Sequence, residues 1–93
     1  MVVGAIQVEI FIPGSNSLKG KRRVVKALIR RLRNKFNISV AEVDANNLWQ
    51  RATLGIAVAN GDGKYASKIM DKVLSTIEND GNVQILDHQI SVR

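Results

Sequence analysis

The apolar residues of this chain change period as it runs, and that order limits the fold more than any other feature. Val2 to Ile12 alternates strictly, with Val2, Gly4, Ile6, Val8, Ile10 and Ile12 on one face and Ala5, Gln7, Glu9 and Phe11 on the other. A period of two over that length predicts a strand with one buried face. Pro13-Gly14-Ser15-Asn16-Ser17 ends it, because proline lacks a ladder donor and the small polar residues favour turns. Leu18, Val25, Leu28, Ile29, Leu32 and Phe36 then recur at helical spacing. Ser17 is placed to cap that helix, although Gly20 stands where a capping box would put Glu or Gln.

The alternation returns from Ile38 to Asp44 and again from Arg51 to Ala59, where Ala52, Leu54, Ile56 and Val58 share the inward face. Asp44 to Gln50 between them is too long for a two-residue hairpin turn. Asn60-Gly61-Asp62-Gly63 offers Asp62 as the cap of a second helix, whose core face is Ala66, Ile69, Met70, Val73, Leu74 and Ile77. Asp80-Gly81-Asn82 is expected to end it with a glycine cap. Val83 to Val92 reads as a last strand, and its phase change around Leu86 predicts a bulge.

Strand, helix, strand, strand, helix, strand in 93 residues predicts one α+β domain over residues 1–93. The expected architecture is the ferredoxin-like split βαβ sandwich, with two helices on one face of a four-stranded antiparallel sheet. Right-handed crossovers place the first and third strands in the centre. With no cysteine there is no disulfide framework, thiolate nucleophile or cysteine zinc site. The amino-terminal segment lacks a signal-peptide pattern, and no apolar run approaches the roughly 20 residues of a membrane span. The expected location is the cytoplasm, with no membrane partner.

Charge is where the chain departs from the ordinary. Lys19 to Lys35 carries nine positive side chains and no carboxylate; the other five basic residues against eight acidic ones leave the rest at −3. At 100° per residue, Arg22, Arg33, Lys26, Lys19, Arg30 and Arg23 fall within an arc of roughly 100° beside the apolar stripe. Arg31 and Lys35 lie on the far flank. Lys21 falls at the stripe itself, where its stem is expected to run along the core with the ammonium in water. Lys19–Arg23, Arg22–Lys26, Lys26–Arg30 and Arg31–Lys35 are like-charged pairs four apart, costing the helix about 1–2 kcal/mol together. Arginine outnumbers lysine in the run, and its planar fork suits phosphate oxygens. The helix therefore reads as a polyanion-contacting face. Its apolar stripe is needed to cover the sheet, which favours nucleic acid over a lipid surface.

Signs of catalysis are sparse. His88 has no positioned partner for acid–base work. Glu42 and Asp44 share a strand face and are expected to form solvated ion pairs near Arg51 rather than hold a metal. Gly14 to Lys21 does not have P-loop spacing, since five residues separate Gly14 from Gly20 and Arg22 follows Lys21. What survives there is a strand-to-helix turn with free amides, flanked by Lys19 and Lys21, where a phosphate could rest. The expectation is no enzyme activity, no cofactor and no metal.

The open sheet face, with Val3, Ala5, Phe11, Gly55, Ala57 and Ala59, offers Phe11 on the first strand but only Thr53, Gly55, Ala57 and Ala59 on the third, so it lacks the paired aromatics on which an RNA recognition motif stacks bases. Its small apolar residues offer a homodimer surface instead. Trp49-Gln50-Arg51 is a secondary contact candidate. Trp49 is expected to pack over the hairpin and core edge; exposed beside Arg51, it would stack on a base.

Ser17-Leu18-Lys19-x-Lys21-Arg22-Arg23-Val24-Val25-Lys26, Asn37-Ile38-Ser39-Val40-Ala41-Glu42-Val43 and Trp49-Gln50-Arg51-Ala52-x-Leu54-Gly55 together resemble the YlxP-like family of small bacterial proteins of unknown function. The resemblance spans nearly the whole chain. It implies a ferredoxin-like fold in a bacterial cytoplasmic protein. Genes of the family often neighbour those for translation initiation and ribosome maturation, which implies an RNA or ribosome context. The expected function is thus a non-enzymatic RNA-associated protein, linked to ribosome assembly or translation, that contacts phosphates through Lys19, Arg22, Arg23, Lys26, Arg30 and Arg33. The alternatives are a homo-oligomeric adaptor docking an acidic protein through the same helix, or a small-molecule-sensing regulatory domain.

Overall fold

The computed structural model describes residues 1–45 and 47–93. It contains β1 (Val2–Phe11), α1 (Leu18–Lys35), β2 (Ser39–Asp44), β3 (Arg51–Asn60), α2 (Gly63–Glu78) and β4 (Gln84–Val92), in that order. The strands form one antiparallel sheet in the order β2-β3-β1-β4. This is the expected ferredoxin-like arrangement, with the first and third strands central. The connection from Asp44 to Gln50 includes Asn46, which lies outside the described residues.

The alternation becomes the core. Ile6, Val8, Ile10 and Ile12 share the helix-bearing side of the sheet with Ala52, Leu54, Ile56 and Val58, and all are buried. Val25, Leu28 and Leu32 of α1 and Ala66, Met70, Val73 and Ile77 of α2 close over them. Gly4 lies where α2 seats on the sheet: a Cβ there would stand 2.6 Å from the Met70 sulfur. Ile29, Ile69, Leu74 and Phe36, expected in the core, are half-buried at its margin.

The caps bear out the reading at both helix starts. The Ser17 hydroxyl accepts from the Gly20 amide at 3.0 Å, and the Asp62 carboxylate accepts from the Lys64 amide at 2.9 Å. The end of α2 is different. Its cap is Asn79 in right-handed geometry, and no glycine has a positive φ among the described residues. Asp80 makes the turn instead, its carboxylate accepting from the Asn82 amide at 2.9 Å. An Asx turn therefore replaces the expected glycine cap.

Two bulges decide where side chains point. In β4 the pairing steps from Glu9–Asp87 to Ile10–Ile85, which makes Leu86 the extra residue, as its phase change predicted. In β2 the register steps from Glu42–Leu54 to Asp44–Thr53, so Val43 is extra. Val43 lies against Gly55, where a Cβ would come within 2.9 Å of its methyl. The bulge puts Glu42 and Asp44 out of phase, so they do not share a face as expected.

Candidate nucleic-acid interface

Ser17 starts α1 so that its apolar stripe meets the sheet, and the rest of the cylinder follows. On one side it meets α2 and the loop after it: Arg31 pairs with Asp80, and Lys35 Nζ lies 3.3 Å from the Thr76 hydroxyl. On the other side it meets the β2 edge, where Arg33 donates to the Val40 carbonyl at 2.9 Å. Between these flanks Lys19, Arg22, Arg23, Lys26 and Arg30 stand exposed. Among the described residues, none of the five enters an ion pair or a side-chain hydrogen bond. The predicted cationic arc is thus assembled on one outward flank, with Arg33 partly engaged at its border.

Lys21 departs from expectation. It is 0% exposed, with Nζ 2.8 Å from Glu42 Oε2 and donating to the Ala45 carbonyl at 2.6 Å. The Glu42 oxygen is not in line for a directed hydrogen bond, so the pair is held by charge and proximity. The stem does not carry the ammonium to water because an anion and a carbonyl wait at the end of the stripe. Lys21 therefore does not flank a phosphate position at the amino terminus of α1. Glu42, 18% exposed at its side chain, serves Lys21 and not Arg51. Arg51 instead meets Glu9 at 3.3 Å across the sheet, a solvated pair of small energetic weight.

Trp49 also departs from expectation. It is 56% exposed and does not pack into the core edge. With Leu48, Phe11 and Arg51 it lines a depression of about 500 Å³ that also borders Ser15 and Asn16. Ser15 and Asn16 line a second depression of about 450 Å³, together with Arg23 and Gly20. The loop before α1 is therefore shared ground between the Trp49 cluster and the cationic flank. Gln50 joins the frame: its side-chain amide donates to the Ser15 carbonyl at 3.0 Å, and its own carbonyl accepts from the Ile12 amide at 2.7 Å. Exposed Leu48 is a member of this cluster that the sequence reading misses, although an apolar pair in a polar connection is a visible sign.

A family model described as a protein of unknown function, DUF503, matches residues 3–90. The chain belongs to the DUF503 family. It is 35% identical over 78 residues to the uncharacterized protein YlxP of Bacillus subtilis (strain 168), covering 84% of this chain and 85% of that one. Two de novo designed proteins share its fold. One, LFR1 1 with ferredoxin fold, gives a TM-score of 0.55 at 16% identity, covering 100% of this chain and 86% of the other. Foldit4 gives 0.52 at 15% identity, covering 99% and 94%. Designed relatives of a fold carry no function with them, so function has to be argued from the site.

His88 is exposed beside the β4 bulge. Among the described residues, no three His, Cys, Asp or Glu side chains are gathered to hold a metal ion. Nor is any helix among them long and apolar enough to cross a membrane.

Proposed function

We propose that this DUF503 protein is a non-enzymatic RNA-associated protein that grips the phosphate backbone with the outward flank of α1. One observation carries the reading: Lys19, Arg22, Arg23, Lys26 and Arg30 are exposed together and without carboxylate partners, while their neighbours Lys21 and Arg31 each have one. Acidic partners are within the chain's reach, and this flank has none. Like charges held four residues apart on a helix are unfavourable alone and are relieved by a polyanion.

The exposed Trp49 adds a stacking surface at the α1 amino terminus, reached across Ser15 and Asn16. A single strand tracking the cationic flank would meet an indole at that end. The bacterial family suits a cytoplasmic role in ribosome assembly or translation.

The test is RNA binding over a salt series. Five neutralised phosphates on a single strand give a slope of log affinity against log salt of roughly −3.5. Arg23→Glu, Lys26→Glu and Arg30→Glu together should abolish binding with the circular dichroism spectrum unchanged. Trp49→Ala should weaken it by about five- to hundredfold, the range of one lost base stack. Unchanged affinity in a folded triple variant would refute the assignment. Negligible RNA affinity near physiological salt would point to an acidic protein as the partner of this helix.

A further inference from the structure

We infer that two copies of this chain join through β4, pairing antiparallel about a two-fold axis at Ile90 to make one continuous sheet. The inference is independent of the RNA reading and concerns the opposite side of the molecule.

The backbone settles which groups are free. Val3 and Arg93 exchange both of their hydrogen bonds, at 2.7 and 2.8 Å, and Val3 lies on β1. In an antiparallel ladder such pairs alternate, so Asp87, Gln89 and Ser91 also turn their backbone groups toward β1. His88, Ile90 and Val92 turn theirs outward to the unpaired edge, where the His88 amide donates to Asp87 Oδ1 at 2.8 Å and the groups of Ile90 and Val92 are unpaired among the described residues. Their side chains are opposite Val8, Ile6 and Gly4, on the helix-bearing face. There Ile90 is 43% and Val92 49% exposed, because α2 leaves this part of β4 uncovered. A bare edge of this kind, without Lys, Pro or a bulge from Asp87 onward, is the sort that pairs with another strand.

The occupant follows from the order of residues along the edge. Outward-pointing groups must meet outward-pointing groups, which restricts the register to steps of two. With Ile90 on the axis, Ile90 faces its own copy and exchanges both backbone bonds with it, and His88 faces the partner's Val92, its amide trading the Asp87 carboxylate for the partner's Val92 carbonyl. The same register sets Asp87 against the partner's Arg93 on the opposite face, twice by symmetry. Shifting the axis to Gln89 puts Asp87 against Ser91 and loses the ion pairs; shifting it to His88 sets two imidazoles face to face. Charge complementarity and apolar contact are therefore both satisfied by a second copy in one register. A two-fold axis normal to the sheet also keeps the helices of both copies on one face and the two α1 flanks at the far ends.

Sedimentation equilibrium of the full chain at tens of micromolar should give twice the mass of 10.2 kDa. Ile90→Lys, which sets two cations on the axis, should return it to monomer. Asp87→Arg should raise the dissociation constant roughly three- to tenfold, the scale of like charges across a strand pair. Adding Arg93→Asp to it should restore the original value. Because the chain has no cysteine, Ile90→Cys is a unique reporter that does not perturb the fold at so exposed a position. It should crosslink under mild oxidation, since facing strand residues lie within disulfide reach, while Ala57→Cys on the open face should not. A monomeric wild type, a dimer that survives Ile90→Lys, or crosslinking through Ala57→Cys in its place would overturn the inference.

Discussion

The sheet has two edges, and the chain treats them in opposite ways. β2 is six residues long, carries a bulge at Val43, turns Glu42 inward onto Lys21, and has one carbonyl, that of Val40, occupied by Arg33. Each of these is a known way to stop an edge from recruiting another strand. β4 is nine residues long, and from Asp87 on it has no bulge and no inward charge, its one occupied edge group being the His88 amide, which donates to Asp87. Its apolar residues stand in water on the helix side. The cationic flank of α1 adjoins the closed edge, whereas the open edge belongs to the α2 side. Two kinds of association are thus kept apart: the side with unpaired charge has no free strand, and on the side with the free strand charges of both signs are mixed.

Removing the closure should have the largest effect where it is most buried. Lys21→Met deletes the ammonium and leaves Glu42 facing the core margin without its cation. The expected loss is about 3 kcal/mol, since breaking a buried pair strands the other charge. In a domain of this size that lowers Tm by about 12–24 °C, read by calorimetry at fixed protein concentration. Lys21→Met with Glu42→Leu should recover most of the loss. A double variant no better than the single one would mean that the hydrogen bond to the Ala45 carbonyl, not the ion pair, holds the β2 end.

Two smaller changes act at the surface. Lys26→Glu converts the Arg22 and Arg30 neighbours from repulsive to attractive partners, so it should stabilise the fold by about 1 kcal/mol while weakening RNA binding. Lost stability would show that the flank is already compensated in a way the five unpaired side chains do not reveal. Arg33→Ala frees the Val40 carbonyl, at a cost of up to about 1 kcal/mol because water replaces the donor. Its sharper readout is association: an unblocked β2 should add a second, weaker self-contact that survives Ile90→Lys. If Ile90→Lys stays monomeric in the Arg33→Ala background, the bulge and the short length suffice to close that edge.

Much of this contrast is legible in the sequence, and the rest is not, for definable reasons. Periodicity locates every strand and helix, and the phase change at Leu86 announces its bulge, because both are local properties of one segment. The cationic arc follows from helical geometry alone. Lys21 falls on the apolar stripe, but the sequence does not name its partner. Which carboxylate meets it depends on how α1 lies across β2, a relation between residues 21 positions apart. The Val43 bulge is hidden because Ser39 to Val43 alternates plausibly without it. Trp49 is misjudged because tryptophan usually prefers burial, and nothing local says that it ends at the rim of a depression shared with Phe11, Leu48 and Arg51. The glycine cap expected at Gly81 fails for a related reason: the Asx turn made by Asp80 removes the need for a positive φ there.

The smallest effect probes how the closed edge ends. Ala45 is the one non-glycine with a positive φ, 62°, among the described residues. Its amide donates to Asp44 Oδ1 at 2.7 Å and its carbonyl accepts from buried Lys21 at 2.6 Å. An L-residue in that region is held at a cost of about 1 kcal/mol or more, part of which glycine would return in unfolded-state entropy. Ala45→Gly should therefore raise stability by roughly 0.5 kcal/mol, a Tm gain of about 2–4 °C. The gain should shrink in the Lys21→Met background, where nothing pulls the carbonyl inward and the backbone relaxes toward negative φ whichever residue is present. Additive effects would mean that the local Asp44 contact sets the turn. Coupled effects would make the buried lysine the reason that β2 stops where it does, and with it the reason that this edge is closed.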